Sequence, residues 1–492
     1  MITNSVCASA RALHAARLAM LLLPPVLLLG ACNTRTFTAP ESNPEQISTN
    51  TFQQTLNREI DILFMVDNSS SMSKLQAKLI MNFPVFMNVL ETLPMGLPDV
   101  HIAVISSDTG PGNYDLPQYN CRFGGDGGRF HFTPTGTCTT SPLNPGQTFL
   151  QASNNQAVKN YTGDIADAFT CIAALGEQGC GFEGQLKSVR WALDPNNVPD
   201  GNQGFLRPEA YLAVILITNE DDCSVPDDST LIDPTQTLMS DPLGPFWSFR
   251  CNEFGHLCNI NGTLQPPPRG VATNLTGCIS NETATGRLTK VGDEIAFLRG
   301  LKKDPNQILV AAITGPATPY SIELMPYAAT GENIANMVHS CVENSGEYAD
   351  PAVRIQQWVQ AFGNNPPPQS ICADTFATAL SAIADRLSVL LGPQCIRGTL
   401  RDGDPSTPAL DPECTVTDSY VNGQGETVRS AVESCAQNGN VAPCWSIVDD
   451  PVNCTGAKTL NVNRGTVAPP NGLSSQVSCM LCVPGVTQAG CP

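Results

Sequence analysis

Four short apolar runs constrain this chain more than any other feature: Ile62–Val66 ("ILFMV"), His101–Ile105 ("HIAVI"), Leu212–Ile217 ("LAVILI") and Ile308–Ile313 ("ILVAAI"). Runs of this length with almost no polar interruption suit strands covered on both faces. Helical spacing fills the gaps between them. Met72, Leu75, Leu79, Phe83, Phe86 and Leu90 recur every three or four residues, and Pro84 is expected to kink or divide that helix. Leu288, Val291, Ile295, Leu298 and Leu301 form a second stripe. "DPAVRIQQWVQAF" predicts a helix with Asp350 as N-cap and Pro351 in the first turn, with Ile355, Trp358 and Phe362 as core. Phe376, Leu380, Ile383 and Leu387 mark a last helix, stopped by Gly392–Pro393. Strands alternating with helices predict an α/β fold with a doubly wound, mostly parallel sheet.

In such sheets ligands bind beyond the carboxyl ends of the strands. The first run ends there in "DILFMVDNSSSM", which places Asp67, Ser69 and Ser71 at alternate positions between strand and helix. One carboxylate and two hydroxyls directed at one point suit a hard, oxygen-seeking cation such as Mg²⁺.

This segment resembles the first strand and metal-ion-dependent adhesion site of the von Willebrand factor type A domain, whose D-x-S-x-S signature is matched by Asp67, Ser69 and Ser71. The resemblance covers residues 58–393. "HIAVISSDTG" is similar to the second strand, and "GCGFEGQLKSVRWAL" to the loop and helix that supply a threonine. "YLAVILITNEDD" is similar to the strand whose tip supplies a second aspartate. Where the family has threonine this chain has Cys180 or Gly181, followed by Glu183; where it has aspartate this chain has Asn219, followed by Asp221 and Asp222. The resemblance implies a site for Mg²⁺ (or Mn²⁺ or Ca²⁺) drawn from Asp67, Ser69, Ser71, Glu183, Asn219 and Asp221. It further implies a protein ligand whose acidic side chain completes the metal shell. The competing reading is a vestigial site, in which Asn68 or Ser69 only caps the helix and the acids at 220–222 are a solvated loop.

The amino terminus adds a compartment. Arg11 and Arg17 precede the apolar stretch "LAMLLLPPVLLLG", which is too short and too proline-broken to span a bilayer. It ends in "LLGAC", similar to the bacterial lipoprotein signal. That resemblance implies cleavage after Ala31 (signal peptide, residues 1–31), acylation of Cys32, and an exported protein anchored in the cell envelope, with Asn33 pointing to the outer membrane of a Gram-negative bacterium. Residues 32–57 are polar and rich in Thr, Ser, Asn and Pro, and read as a flexible tether. A net charge of −19, from 26 basic and 45 acidic residues, leaves no basic footprint for nucleic acid.

Of 20 cysteines, Cys7 lies in the signal and Cys32 at the cleavage site. The remaining even number predicts disulfides in an oxidising compartment. Pairing within sequence neighbours predicts Cys121–Cys138, Cys171–Cys180 and Cys341–Cys372. The connectivity of residues 223–278 and 395–491 stays open. The closing "CMLC" (Cys479, Cys482) has no second CxxC and no histidine near it, so structural bridges are expected there rather than zinc.

Two long insertions, 108–160 and 223–287, leave carboxyl ends of strands and are expected to surround the metal site. Residues 394–492, with eight cysteines, predict a small disulfide-held domain with Trp445 in its core. No HExxH, GxSxG or P-loop occurs, so the chain is not expected to be an enzyme. The expected function is metal-dependent protein binding or adhesion from the cell envelope. A structural envelope lipoprotein with a vestigial site is the alternative, and a cryptic hydrolase the third reading.

Overall fold

The computed structural model describes residues 46–492 apart from 54–57 and the short segments 94–95, 135–137, 154, 364, 367, 392–394, 422–425, 451–453, 455, 467–472 and 484–486. The signal peptide and Cys32 lie outside the described residues.

Each apolar run forms a strand, and the four lie side by side. A seven-stranded sheet takes the order Gln369–Ser370, Ile308–Thr314, Tyr211–Ile217, Glu59–Val66, Asp99–Ser106, Leu150–Ser153, Val158–Lys159. The first five are parallel and the last two antiparallel. In the middle strand Ile62 faces Ile102 on one side and Ala213 on the other. The chain turns one way from this strand to Asp99–Ser106 and the other way to Tyr211–Ile217, so the connection reverses direction at its carboxyl end.

Both faces of the sheet are buried, which explains the unbroken apolar runs. Ile60, Ile62, Phe64 and Val66 pack under the helices Ser73–Glu91, Ile165–Ala173 and Ala377–Leu391. Leu63 and Met65 pack under Gln185–Leu193, Val291–Gly300 and Val353–Gln360. Ile355, Trp358 and Phe362 are buried there. Pro84 neither divides nor ends its helix, which runs continuously from Ser73 to Glu91. Phe83 and Phe86 on either side of the proline pack against Phe64, and Phe83 stacks on Phe169 at 3.6 Å. That packing outweighs the local cost of the missing hydrogen bond. Asp350 is not the cap of its helix either. The helix starts at Val353, and its first N–H groups, from Arg354 and Ile355, donate to the carboxylate of Asp221.

A five-stranded antiparallel sheet, ordered Asn333–Val338, Tyr320–Pro326, Thr273–Ser280, His256–Ile260, Thr263–Gln265, joins the second insertion to a further excursion after Ile308–Thr314. That second excursion was not anticipated. Its strands alternate only weakly and lack the apolar runs that mark the central sheet.

Beyond residue 394 a six-stranded sheet takes the order Gln46–Gln53, Ser474–Leu481, Cys414–Val421, Thr427–Ser434, Cys444–Asp449, Lys458–Asn463. Trp445 is in its core with Val416, Val432 and Val477. The expectation of a flexible tether at 32–57 is corrected for residues 46–53. They pair antiparallel with the last strand over their whole length, from Gln46↔Leu481 to Gln53↔Ser474. Ile47, Thr49 and Thr51 alternate with polar residues but Phe52 falls out of phase, so the local pattern is too weak to mark a strand.

Among the described residues nine disulfides form. Two expected pairings are corrected: Cys121 bonds Cys180 and Cys138 bonds Cys171, so the partners are exchanged. The reason is packing. Leu116, Cys121, Cys180, Phe182 and Cys223 share one apolar cluster, which brings the first insertion onto the loop before the helix Gln185–Leu193. Cys341–Cys372 forms as written. The others are Cys223–Cys251, Cys258–Cys278, Cys395–Cys454, Cys414–Cys479, Cys435–Cys444 and Cys482–Cys491. Both cysteines of the CMLC segment are thus in bridges. Disulfides in this number belong to an oxidising compartment outside the cytosol.

Candidate functional site

The loop after Glu59–Val66 sits where the connections reverse, at the carboxyl edge of the sheet. Asp67 is fully buried there. Its N–H donates to Ile217 O of the neighbouring strand at 2.9 Å, and Gln76 Nε2 donates to Asp67 O at 2.8 Å, so the backbone is fixed from two directions. Its Oδ1 accepts from Ser69 N (2.8 Å) and Ser107 Oγ (3.0 Å), and its Oδ2 from Thr218 Oγ1 (2.6 Å). Ser69 Oγ and Ser71 Oγ lie 3.4 Å apart. Ser71 Oγ is 3.2 Å from Asn219 Oδ1 and 3.0 Å from its Nδ2. The next loop closes tightly over this turn. Gly179 N donates to Asn68 O at 2.8 Å, and a Cβ on Gly179 would stand 2.1 Å from Asn68 Oδ1. Only glycine fits at that approach.

The structure therefore brings Asp67, Ser69, Ser71 and Asn219 together. Glu183 stands close by, within electrostatic reach of Asp67, but its nearest carboxyl partner is Glu220. Asp221 is turned elsewhere. Its carboxylate accepts from His256 Nε2 at 2.8 Å and from the N–H groups of Arg354 and Ile355. Asp222 is equally committed, to Arg354 and to Leu186 N. Sequence reasoning missed Ser107, Thr218 and Glu220. Thr218 and Glu220 flank Asn219 in "LITNED", and Ser107 directly follows the strand Asp99–Ser106, so position beside a strand end was the available signal.

Electrostatics separates the two groups of acids. Burial pushes the Asp67 carboxyl up, against the hydrogen bonds from Thr218 and Ser69. Burial raises Glu183 well above the carboxylate range, and the negative charges of Glu220 and Asp67 add to it. Glu220 is pushed up to about 8, by burial first and by Asp350 and Asp67 next. Asp221 goes the other way: burial works to raise it, but the His256 ring and the two helix N–H groups outweigh that and hold it below its usual value. Among the described residues no Lys, Arg or His forms an ion pair with Asp67, Glu183 or Glu220. Glu183 Oε1 and Thr109 Oγ1 are buried without a hydrogen-bond partner.

These residues fit a hard cation. Around an ion with ligands at about 2.1 Å, adjacent oxygens of an octahedron are about 3 Å apart. The Ser69–Ser71 and Ser71–Asn219 spacings are close to that edge, and Asp67 places a carboxyl group beside them. Among the described residues no three His, Cys, Asp or Glu side chains form a ligand set of their own. The donors here are mixed hydroxyl, amide and carboxylate oxygens.

No protein-family model matches the sequence, and no curated protein matches it significantly. Among solved structures, the pilus adhesin SpaC from Lactobacillus rhamnosus GG, in an open conformation, aligns with 92% of this chain and 45% of its own at 13% identity and a TM-score of 0.28. The pilus adhesin RrgA from Streptococcus pneumoniae aligns with 89% of this chain and 58% of its own at 10% identity and a TM-score of 0.19. The three N-terminal domains of a type V pilus tip protein from Porphyromonas gingivalis align with 89% and 68% at 12% identity and a TM-score of 0.23. The chain thus spans about half the length of the first two. Scores this low establish neither a shared fold nor a shared role.

Proposed function

We propose that this chain is an exported, lipid-anchored envelope protein whose doubly wound domain, of the von Willebrand factor type A kind, binds a protein ligand through a divalent cation. The observation that carries the reading is the convergence of Ser69, Ser71 and Asn219 at octahedral-edge spacing beside buried Asp67. Asp67, Ser69, Ser71 and Asn219 would hold Mg²⁺ or Mn²⁺, with the carboxyl group of Glu183 nearby. The cation would offer a coordination position to an acidic side chain of the partner. Ser71 is partly exposed and Ser70 exposed, so the cup has an open side for that contact.

Electron paramagnetic resonance of Mn²⁺ tests this. Wild-type protein is expected to broaden the Mn²⁺ signal, a glutamate-containing peptide to alter it further, and Asp67→Ala to leave free Mn²⁺ unchanged. Indifference of the wild type would defeat the reading. Anchoring through Cys32 has its own test: Cys32→Ser is expected to move the protein from the membrane fraction to the soluble exported fraction, and retention on washed membranes would rule the anchor out.

One observation favours the second reading, an envelope scaffold with a vestigial site. Both carboxylate oxygens of Asp67 already accept hydrogen bonds from Ser69, Ser107 and Thr218, so its polar atoms are satisfied without a cation. Under that reading Mn²⁺ has no effect.

A further inference from the structure

Gln76 is a polar residue on the buried side of a helix. It lies in the first turn of Ser73–Glu91, with Met72, Leu79 and Phe83 on the same face, and is only 3% exposed. Burying an amide is costly unless hydrogen bonds replace those of water. Here they do, and they run to the backbone of two loops. Gln76 Nε2 donates to Asp67 O at 2.8 Å and to Gly176 O at 2.9 Å, and Gln76 Oε1 accepts from Gly176 N at 3.0 Å. The partners settle which end of the amide is which, because carbonyl oxygens only accept and a backbone N–H only donates. A carboxylate of the same length has no proton to offer the two carbonyls.

Gly176 belongs to the loop that runs on to Gly179, whose N–H donates to Asn68 O at 2.8 Å. The Gln76 amide therefore ties together the two segments that meet at Asn68. Asp67 is pinned at both ends of its backbone, its N–H by Ile217 O and its C=O by Gln76. The peptide between Asp67 and Asn68 cannot rotate without breaking one of these bonds. Ser69 and Ser71 follow that peptide directly, so their hydroxyls inherit its orientation.

We propose that Gln76 is the positioning residue of the cup. It would touch no cation itself; it fixes the Asp67–Asn68 peptide and the loop 174–179 so that Asp67, Ser69 and Ser71 stand at coordination spacing beside Asn219. This role rests on the cation reading of the cup. Groups that orient the ligands of a metal site carry about ten- to a hundredfold in affinity.

Mn²⁺ dissociation constants from paramagnetic-resonance titration of the full chain, read beside urea unfolding of the same proteins, test the role. Gln76→Met keeps the length of the side chain and removes its hydrogen bonds; it is expected to bind Mn²⁺ about ten- to a hundredfold more weakly than wild type. Asn82→Ala is the control. Asn82 lies further along the same helix, accepts from Thr375 Oγ1 at 2.6 Å and donates to Lys78 O at 2.7 Å. Its loss is expected to lower stability and leave the Mn²⁺ affinity at the wild-type value. Gln76→Glu serves should Gln76→Met fail to fold: its carboxylate still accepts from Gly176 N but donates to neither carbonyl, and the same weakening is expected. Wild-type affinity in a folded Gln76 variant would overturn the positioning role and leave the cup standing. Equal weakening in Asn82→Ala would overturn it too, by showing that lost stability alone loosens the cup. A wild type that binds no Mn²⁺ would overturn the cup and this role together.

Discussion

Asp108 shows how sharply single acids are tuned around this site. It follows Ser107, which donates to Asp67, and its own Oδ1 accepts from Gly110 N at 2.9 Å. Gly125 crosses so close that a Cβ would stand 2.4 Å from Asp108 Oδ1, at φ +48°, so a glycine is required there. Burial, and then the charge of Asp126, pushes the Asp108 carboxyl up to about 6 from 3.8. The folded state therefore binds this proton more tightly than the unfolded chain. The stability it contributes is complete below about pH 3.8 and is lost as pH rises through about 6. Asp108→Asn is expected to remove that dependence. Urea unfolding at pH 4 and pH 7 should show the wild type losing on the order of 2 kcal/mol relative to the variant between the two. Parallel pH profiles would contradict the account. What the sequence disclosed at this scale was the D-x-S-x-S set, because a strand end names its own loop. Thr218, Ser107 and Glu220 were harder to see, since their roles depend on contacts between loops far apart in the chain. Asp221 looked equivalent to Asn219 in sequence; only the fold shows that it faces His256 and a helix N-terminus.

At the level of elements, the strands were legible because a doubly covered sheet demands unbroken apolar runs, and the helices because their stripes match the two faces. Local rules failed where packing was stronger. Pro84 sits on the exposed side of the helix Ser73–Glu91 while Phe83 and Phe86 are buried beside it. The helix thus bears a proline without a packing benefit from the ring. Pro84→Ala is expected to stabilise the protein by roughly 1–3 kcal/mol, since an interior proline costs about 3 kcal/mol and part of that is already absorbed by relaxation. At about 1 °C per kcal/mol for a protein of this size, calorimetry would register the gain. A lower melting temperature would mean that the ring itself is packed or that the helix needs its distortion. Disulfide partners were illegible for a different reason. Proximity in sequence suggested Cys121–Cys138 and Cys171–Cys180, but the first insertion folds back across the site loop, and the apolar cluster around Leu116 and Phe182 sets the pairing.

Across the whole molecule, the α/β sheet lies in sequence between Gln46–Gln53 and the remaining strands of the C-terminal sheet. Glu59 begins the middle strand immediately after the segment that follows Gln46–Gln53, and the helix Ala377–Leu391 runs from the carboxyl edge, where Gln369–Ser370 pairs with Ile313–Thr314, back to the opposite one. The strand Glu59–Val66 is thus entered at the edge opposite the loop of Asp67, Ser69 and Ser71. Residues 46–53 strengthen that arrangement by closing the C-terminal sheet with a strand from the start of the folded chain. Composition had marked this stretch as linker, because polar strands that pair with distant partners carry no local signature.

The central claim, that the cup holds a cation, is tested most directly by calorimetric melting of the full chain with and without Mg²⁺, beside Asp67→Ala. A cation that binds only the folded state stabilises by about 2.7 kcal/mol at a hundred times its dissociation constant. The account predicts that saturating Mg²⁺ raises the wild-type melting temperature by roughly 3 °C, at about 1 °C per kcal/mol for a chain of this length, and leaves Asp67→Ala unmoved. A wild type whose melting temperature is the same in EDTA, Mg²⁺ and Mn²⁺ would contradict it, and the serines would then be no more than the start of a helix.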